Sequence, residues 1–504
     1  MAEYDIVIAG SGLGGLECGN ILSKEGYKVC VLEKNRQIGG ALQIFSRDKV
    51  IFDTGIHYIG GLDKGQNLYQ YFKFMGLMDK LKLRKMNEDG FDLITFDDDK
   101  EEYKYAQGYE NFIDTLAEKF PNEREALKKY CDKLKEVTDY FPLYRLDLSK
   151  QNPTDTRYLD INAKAYIESI TQNEKLRSVL AATNMLYGGE GDKTPLYVHA
   201  SCLCSYIESS WKCVDGGAQI GTLLAKGIKD NGGDIFNYSE VSKFVMEGDR
   251  IRAVKLSDGR EIEGKSFISN LHPALTLDMV DSDKIKKSYR NRIKSLDNTI
   301  SSFIISVVLK ENTFEYMNYN NYHHKSDKVW ESTEYKEDLW PDYYAVFTGA
   351  GSKTALYADH AVIMCYMKYD EVKKWSDSYN VIPNHITHRG DDYEAFKMMK
   401  AEKAIEEVGK RYPGFKQKIK SYYVSTPLSY RDYTSTPNGS IYGILKDYSN
   451  PLKSFVSPQT KIPNLYFTGQ NVNLHGVLGV TISAVRTSAE YLGYDYLMKK
   501  IISA

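Results

Sequence analysis

The chain has 504 residues, of which 42% are hydrophobic and 27% charged, and its formal net charge is −2. That length is too great for one ordinary core and predicts two or three structural units, while the near-neutral balance leaves no global field for gathering nucleic acid or anionic lipid. The seven cysteines, Cys18, Cys30, Cys131, Cys202, Cys204, Cys213 and Cys365, form no C-x-x-C pair, so they read as reduced core or loop thiols and no metal site is expected.

Only Met1, Ala2 and Glu3 precede the first strand, with no charged leader or apolar signal run among them. Residues 5–9 predict a buried strand, 10–15 a glycine turn and 16–25 a helix, on the near-helical spacing of Leu13, Leu16, Ile21 and Leu22. Gly26 ends that helix and residues 28–32 form a second strand, which completes a βαβ opening. Residues 61–207 read as mostly helical, with helices at 109–120, 123–140 and 195–208. A helix at 218–230, closed by Gly232 and Gly233, leads into three short strands at 240–246, 251–256 and 260–262. A separate buried strand at 266–269 runs into Asn270.

Residues 286–454 mix strands at 300–309 and 361–367 with a helix at 393–410, and the polar stretch 318–328, with His323 and His324, reads as an exposed loop. The longest apolar run, 303–309, is broken by Ser306 and is far short of the ~20 residues that span a bilayer, so a cytoplasmic protein is expected. The last block repeats the opening pattern, with a strand at 464–468, a glycine-rich turn and a helix striped by Val477, Val480, Ala484, Val485 and Ser488. The predicted fold is α/β: a Rossmann-type domain assembled from residues 1–60, 208–285 and 455–504, with an inserted α+β substrate or cap domain at 61–207 and 286–454.

Gly10-Ser11-Gly12-Leu13-Gly14-Gly15 follows a strand and opens a helix, where missing side chains let backbone amides approach a pyrophosphate at the positive helix end. Glu33, 18 residues after Gly15 at the end of the next strand, stands where a ribose-binding carboxylate belongs. It can accept hydrogen bonds from two ribose hydroxyls and would repel a 2′-phosphate, so FAD or NAD fits and NADP does not. No second glycine fingerprint joins a strand to a helix: Gly349-Ala350-Gly351 and Gly188-Gly189-Glu190-Gly191 sit among polar residues. Electrons therefore enter through the substrate cavity, from a carrier protein or free NAD(P)H, or from the substrate itself.

After Glu33 come Gly39-Gly40, then Phe52-Asp53-Thr54-Gly55-Ile56-His57-Tyr58-Ile59-Gly60, and near the end Leu465-Tyr466-Phe467-Thr468-Gly469-Gln470. With Val214-Asp215-Gly216-Gly217, Ile268-Ser269-Asn270 before His272-Pro273, and Thr426-Pro427-Leu428-Ser429 followed by Gly439-Ser440-Ile441-Tyr442-Gly443, these resemble the retinol saturase, carotenoid isomerase and phytoene desaturase group of FAD-dependent oxidoreductases. The Gly-Ile-His-Tyr-Ile-Gly wording is nearest that of retinol saturases.

By position, the resemblance implies that Gly10, Gly12, Leu13, Gly14, Gly15, Glu33, Lys34, Asn35, Arg36, Gly39 and Gly40 hold the AMP and pyrophosphate side of FAD. Val241 would clamp adenine through its backbone, and Asn270 is a further cofactor contact. Gly55, Ile56 and His57 would lie near the isoalloxazine, Gly469, Gln470 and Asn471 would reach the ribityl chain and phosphate, and Leu478, Gly479 and Val480 would cap the ring. His475 stands where relatives often carry Pro or another small residue, at the ring's distal edge. No cysteine lies in the last block, so the FAD is expected to be noncovalent.

The implied activity is saturation or desaturation of a carbon-carbon double bond in an apolar polyene or isoprenoid-like substrate, with peripheral membrane contact for substrate access. A flavin-dependent cis-trans isomerase and an amine oxidase-like enzyme are the alternatives. His57, Tyr58, Tyr430 and Arg431 are the candidates for touching substrate. Each has a plainer use: a structural hydrogen bond for His57, wall packing for Tyr58 and Tyr430, an ion pair for Arg431.

Overall fold

The computed structural model describes residues 3–147, 149, 156–352, 356–380 and 388–504; Met1 and Ala2, at the expected leaderless start, lie outside the described residues. Five parallel strands form the centre of the first sheet, in the spatial order Asp234–Phe236, Val29–Leu32, Tyr4–Ala9, Glu261–Ser269 and Leu465–Phe467. Tyr4–Ala9 and Val29–Leu32 are buried almost throughout, as parallel strands covered on both faces must be. The Leu13–Lys24 helix packs between Ala218–Asp230 and Gly476–Leu492. A separate apolar cluster that includes Val7, Phe244, Phe267, Leu277 and Leu465 completes the packing of this sheet.

Glu261–Ser269 is one strand of nine residues, not the separate strands at 260–262 and 266–269 that the local pattern predicts. Its first residues pair antiparallel with Arg250–Leu256 and its last ones parallel with Tyr4–Ala9. Gly264 lies between the two halves without breaking the strand. A Cβ there would stand 2.7 Å from Val7 Cγ2, so this glycine permits close packing of the two strands.

The second sheet has the order Ile419–Ser425, Ser301–Leu309, His360–Met367, Tyr343–Thr348, Asn320–His324, Asp92–Phe96 and Asp99–Tyr105. Two of its strands come from the segment expected to be mostly helical, which also contributes the predicted helices as Tyr109–Lys119, Arg124–Asp139 and Leu196–Glu208. The expected exposed loop at 318–328 is corrected by the structure: Asn320–His324 is a wholly buried strand. Its polar side chains are buried because they are bonded. Asn320 donates to Asp92 Oδ1 (2.8 Å), Asn321 to the Leu93 carbonyl (3.0 Å), and the rings of His323 and His324 meet Asp97 (2.9 Å) and the Ala182 carbonyl (2.8 Å).

A small sheet of Ile59–Gly60, Ser210–Cys213 and Leu83–Lys85 fixes the segment between the two large ones. Gly60 must be glycine, since a Cβ would lie 2.5 Å from the Ser205 backbone. Residues 55–58 are thereby held with Gly55 against Ala41 and Tyr58 against Tyr322. Among the described residues no helix is long and apolar enough to cross a membrane.

Candidate active site

The helix after the first strand starts at Leu13, three residues earlier than its apolar spacing suggests, because Gly12 caps it in extended conformation. No side chain caps that N-terminus, so its first N–H groups face the cavity free to bind an anion. Gly10 has φ +94°, and a Cβ on Gly15 would lie 2.1 Å from the Gly10 carbonyl oxygen. Gly39 and Gly40, at φ +107° and +58°, form a second turn whose Gly40 would place a Cβ 3.0 Å from Gly12 Cα. The two turns are clasped by the Gly39 N–H, which donates to the Ser11 carbonyl (2.9 Å).

Glu33 is 5% exposed and lines the cavity at the edge of these turns. Its Oε2 accepts from the Ser11 N–H (3.1 Å) and hydroxyl, and its Oε1 from the Asn35 N–H (2.8 Å). Lys34 donates to the Asp432 carbonyl (2.7 Å) and the Ser435 hydroxyl (2.6 Å), and Asn35 to the Tyr433 carbonyl (3.0 Å), so the Pro427–Thr434 helix is docked on this edge. Asn270 lies on the opposite side. A Cβ on Gly12, Gly14 or Gly469 would come within 2.8, 2.9 and 2.4 Å of its side-chain amide. Those three glycines therefore also make room for the Asn270 side chain.

From Glu33 and Val241 the cavity passes Gly10, Gly12, Leu13, Gly14, Gly39 and Gly40, then Gly469, Gln470 and Asn471, to Gly55, Ile56, His57 and Tyr58. Gly15 and Arg36 are not among its lining residues: Gly15 is consumed by the tight turn. Leu478 and Gly479 are likewise behind the wall, with Val477 and Val480 facing in. His475 is also outside the lining. Its Nε2 meets the Leu186 carbonyl (2.9 Å), its ring covers Tyr442 at 4.4 Å, and burial pushes its pKa down to about 4.

Arg431 is another correction. Its guanidinium donates to the Ser376 and Ser378 carbonyls and to Asp432, a buried carboxylate that also holds Arg389, and it does not line the cavity. Charge needs a partner when buried, and here the neighbouring residue supplies it. Tyr430, one residue earlier, does line the cavity, with its hydroxyl pushed up to about 12 by burial.

Beyond Tyr58 the wall belongs to the second sheet, the helical segment and the stretch after the Pro427–Thr434 helix: Ile304, Phe347 and Met364 are apolar, and Tyr322, Tyr206 and Tyr442 add hydroxyls. His57 stacks on Phe347 with ring centroids 4.3 Å apart. Burial, reinforced by Lys212 and His360, lowers its pKa to about 4, so the imidazole is neutral at pH 7. The Tyr58 ring stacks on Tyr206 at 4.3 Å, and its hydroxyl meets Asp92 Oδ2 (2.9 Å) and the Tyr322 hydroxyl (2.8 Å). Glu33, Lys34 and Glu240, with His272 just after Asn270 in the chain, account for the other carboxyl, amino and imidazole side chains of the lining among the described residues. At the inner wall of Ile304, Phe347 and Met364 the titratable groups are neutral His57 and tyrosine hydroxyls.

Asp92, Tyr206, Tyr322 and Phe347 were not legible as site residues. The available signal was strand alternation, which puts Asn320, Tyr322 and His324 on one face, but the polar composition of that segment concealed it.

The glycine cradle, the uncapped helix and the acidic edge fit a dinucleotide, and the same cavity continues past Gly469 to His57. A family profile described as an NAD(P)-binding Rossmann-like domain matches residues 8–75. The all-trans-retinol 13,14-reductase of Danio rerio is 24% identical over 96% of this chain and 85% of its own length. The chloroplastic prolycopene isomerase of Daucus carota is 24% identical over 96% of this chain and 79% of its own length. Among solved structures, wild-type putrescine oxidase bound to putrescine has a TM-score of 0.65 at 13% identity, covering 97% of this chain and 99% of that one.

Proposed function

We propose that this relative of retinol reductases and prolycopene isomerases binds FAD noncovalently and acts as an oxidoreductase on carbon-carbon double bonds of an apolar, conjugated substrate. The observation that carries the reading is the inner cavity, whose wall of Ile304, Phe347, Met364 and tyrosines offers an uncharged substrate a slot beside His57 and offers an ammonium group no carboxylate. That distinction matters because putrescine oxidase shares the fold. Fold alone carries no substrate.

When bound, the flavin supplies two-electron redox chemistry. The chain's own groups do the positioning. The uncapped amides at Leu13 and the turn at Gly39-Gly40 hold pyrophosphate, Glu33 holds the adenosine ribose, and Gln470 reaches the ribityl chain. Neutral His57 covers the ring without placing a cation beside it, and the apolar inner wall excludes water from the reacting carbons. The enzyme is proposed to work in the cytoplasm, to meet its substrate at a membrane surface, and to draw electrons from a carrier protein or free NAD(P)H.

Acid precipitation is expected to release FAD, identified by mass, because no cysteine lines the cavity among the described residues. Colour retained in the pellet would mean a covalent link, with His57 the first position to inspect. With the oxidised holoenzyme, a retinoid should perturb the flavin absorbance on binding, and a panel of primary amines should not bleach it. Rapid bleaching by an amine would replace this reading with the amine oxidase one.

A further inference from the structure

We propose that Tyr58, backed by Tyr322 and the buried carboxyl of Asp92, delivers a proton to a substrate carbon, which makes this a double-bond reductase. The inference rests on the alkene-reduction reading above and identifies a proton source that reduction needs and isomerisation does not.

Saturating a carbon-carbon double bond consumes two electrons and two protons. The reduced flavin supplies the electrons with one proton and is itself oxidised. The second proton must come from a group that touches the substrate. Several tyrosines line the inner cavity, but their hydroxyls differ in what stands behind them. The Tyr442 hydroxyl donates to the Met185 carbonyl (2.8 Å), which has no proton to return. Tyr58 alone among the lining tyrosines, within the described residues, bonds directly to a carboxyl group, and Tyr322 bonds to Tyr58. Asp92 is 1% exposed, and its second oxygen is held by the Asn320 side-chain N–H (2.8 Å).

The orientation of this chain depends on one proton. With Asp92 ionised, the Tyr58 hydroxyl donates to it and turns away from the cavity. With Asp92 protonated, the carboxyl O–H donates to the Tyr58 oxygen and the phenolic hydrogen is free to face the substrate. Burial raises the Asp92 pKa to about 7, against the opposing pull of its bonds to Asn320 and Tyr58 and of the Lys212 ammonium. In the transfer the Tyr58 O–H bond breaks as the carbon-hydrogen bond forms, and the Asp92 O–H bond breaks to restore the phenol. Asp92 is left as a carboxylate that solvent reprotonates between turnovers. Tyr58 is the catalytic residue; Asp92 and Asn320 are positioning residues.

The test uses the holoenzyme reduced anaerobically with dithionite and mixed with a conjugated retinoid. Tyr58→Phe, which deletes only one oxygen, is expected to slow flavin reoxidation by about 100-fold, within the range for a general acid, with the retinoid Kd changed less than about threefold. Asp92→Asn should slow it comparably while FAD content stays at the wild-type level. A readout independent of turnover is the wild-type-minus-Asp92→Asn infrared difference spectrum at mildly acidic pH, which should show one protonated carboxylic acid lost with Asp92 beyond the acid that Glu17 keeps in both proteins. Full reoxidation rate in Tyr58→Phe, or an infrared spectrum unchanged by Asp92→Asn, overturns the proposal. Wild-type activity that changes product geometry without adding hydrogen also overturns it. Wild-type enzyme inert to every conjugated alkene overturns the reading on which it rests, and the two failures are told apart by the wild-type control.

Discussion

Glu33→Ala is expected to purify folded but depleted of FAD, and to rebind it about 10- to 100-fold more weakly than wild type. An ionised carboxylate offers about four acceptor sites. Three are already used by the Ser11 N–H, the Ser11 hydroxyl and the Asn35 N–H. One site on Oε1 therefore remains for a ribose hydroxyl, and a second hydroxyl can bind only by displacing Ser11. A single charge-assisted bond is worth about 1.5–3 kcal/mol, which sets the range. The Ser11 turn also loses its anchor, so the alanine variant should sit at the weak end, with Glu33→Gln in between. Equilibrium titration of apoprotein with FAD measures this. Wild-type affinity in the alanine variant would place the ribose elsewhere.

Glu17→Gln should stabilise the protein, and increasingly so as the pH rises. Glu17 lies within the Leu13–Lys24 helix, is 0% exposed, and faces the Gly476–Leu492 helix. One oxygen accepts from the Thr481 hydroxyl (2.6 Å), and the other has no hydrogen-bond partner. Burial raises its pKa from 4.5 to about 8, against the pull of Thr481. Because the folded value is the higher one, the stability linked to this proton is complete below the unfolded pKa and is lost as the pH rises through about 8. Glutamine has the shape of the protonated acid and nothing to ionise. The variant should match wild type under acidic conditions and exceed it by a few kcal/mol in mildly alkaline solution, at about 1.4 kcal/mol per pKa unit. Denaturant midpoints of the holoprotein across that window measure the divergence. Parallel curves would mean that the carboxyl is solvated or paired.

The parts of the fold that sequence makes visible are those that local geometry demands. Gly10 and Gly39 adopt backbone angles that other residues resist, and Glu33 ends a strand whose length fixes its distance from the turn. The parts that stay hidden depend on distant partners. Asn320–His324 reads as a loop because its polar residues look solvated, yet Asp92, Leu93 and Asp97 satisfy them from more than 220 residues away, as the bonds separated by 226 and 228 positions show. The same blindness hides Asp92 behind Tyr58. Residue spacing also places side chains without aiming them. Tyr430 and Arg431 are adjacent, but one faces the cavity and the other is tied down by Ser376, Ser378 and Asp432. His475 is turned from the expected flavin edge toward the Leu186 carbonyl in the same way.

Electron exchange with a conjugated double bond is tested most directly by an anaerobic single turnover. The holoenzyme is reduced to completeness, excess reductant is removed, and a retinoid or carotenoid analogue is added while flavin absorbance and product mass are followed together. The predicted result is return of the oxidised flavin spectrum with a product that has gained two hydrogens per flavin. Reduced flavin that stays reduced with every polyene, in a protein whose oxidised form is bleached by an amine, would contradict it.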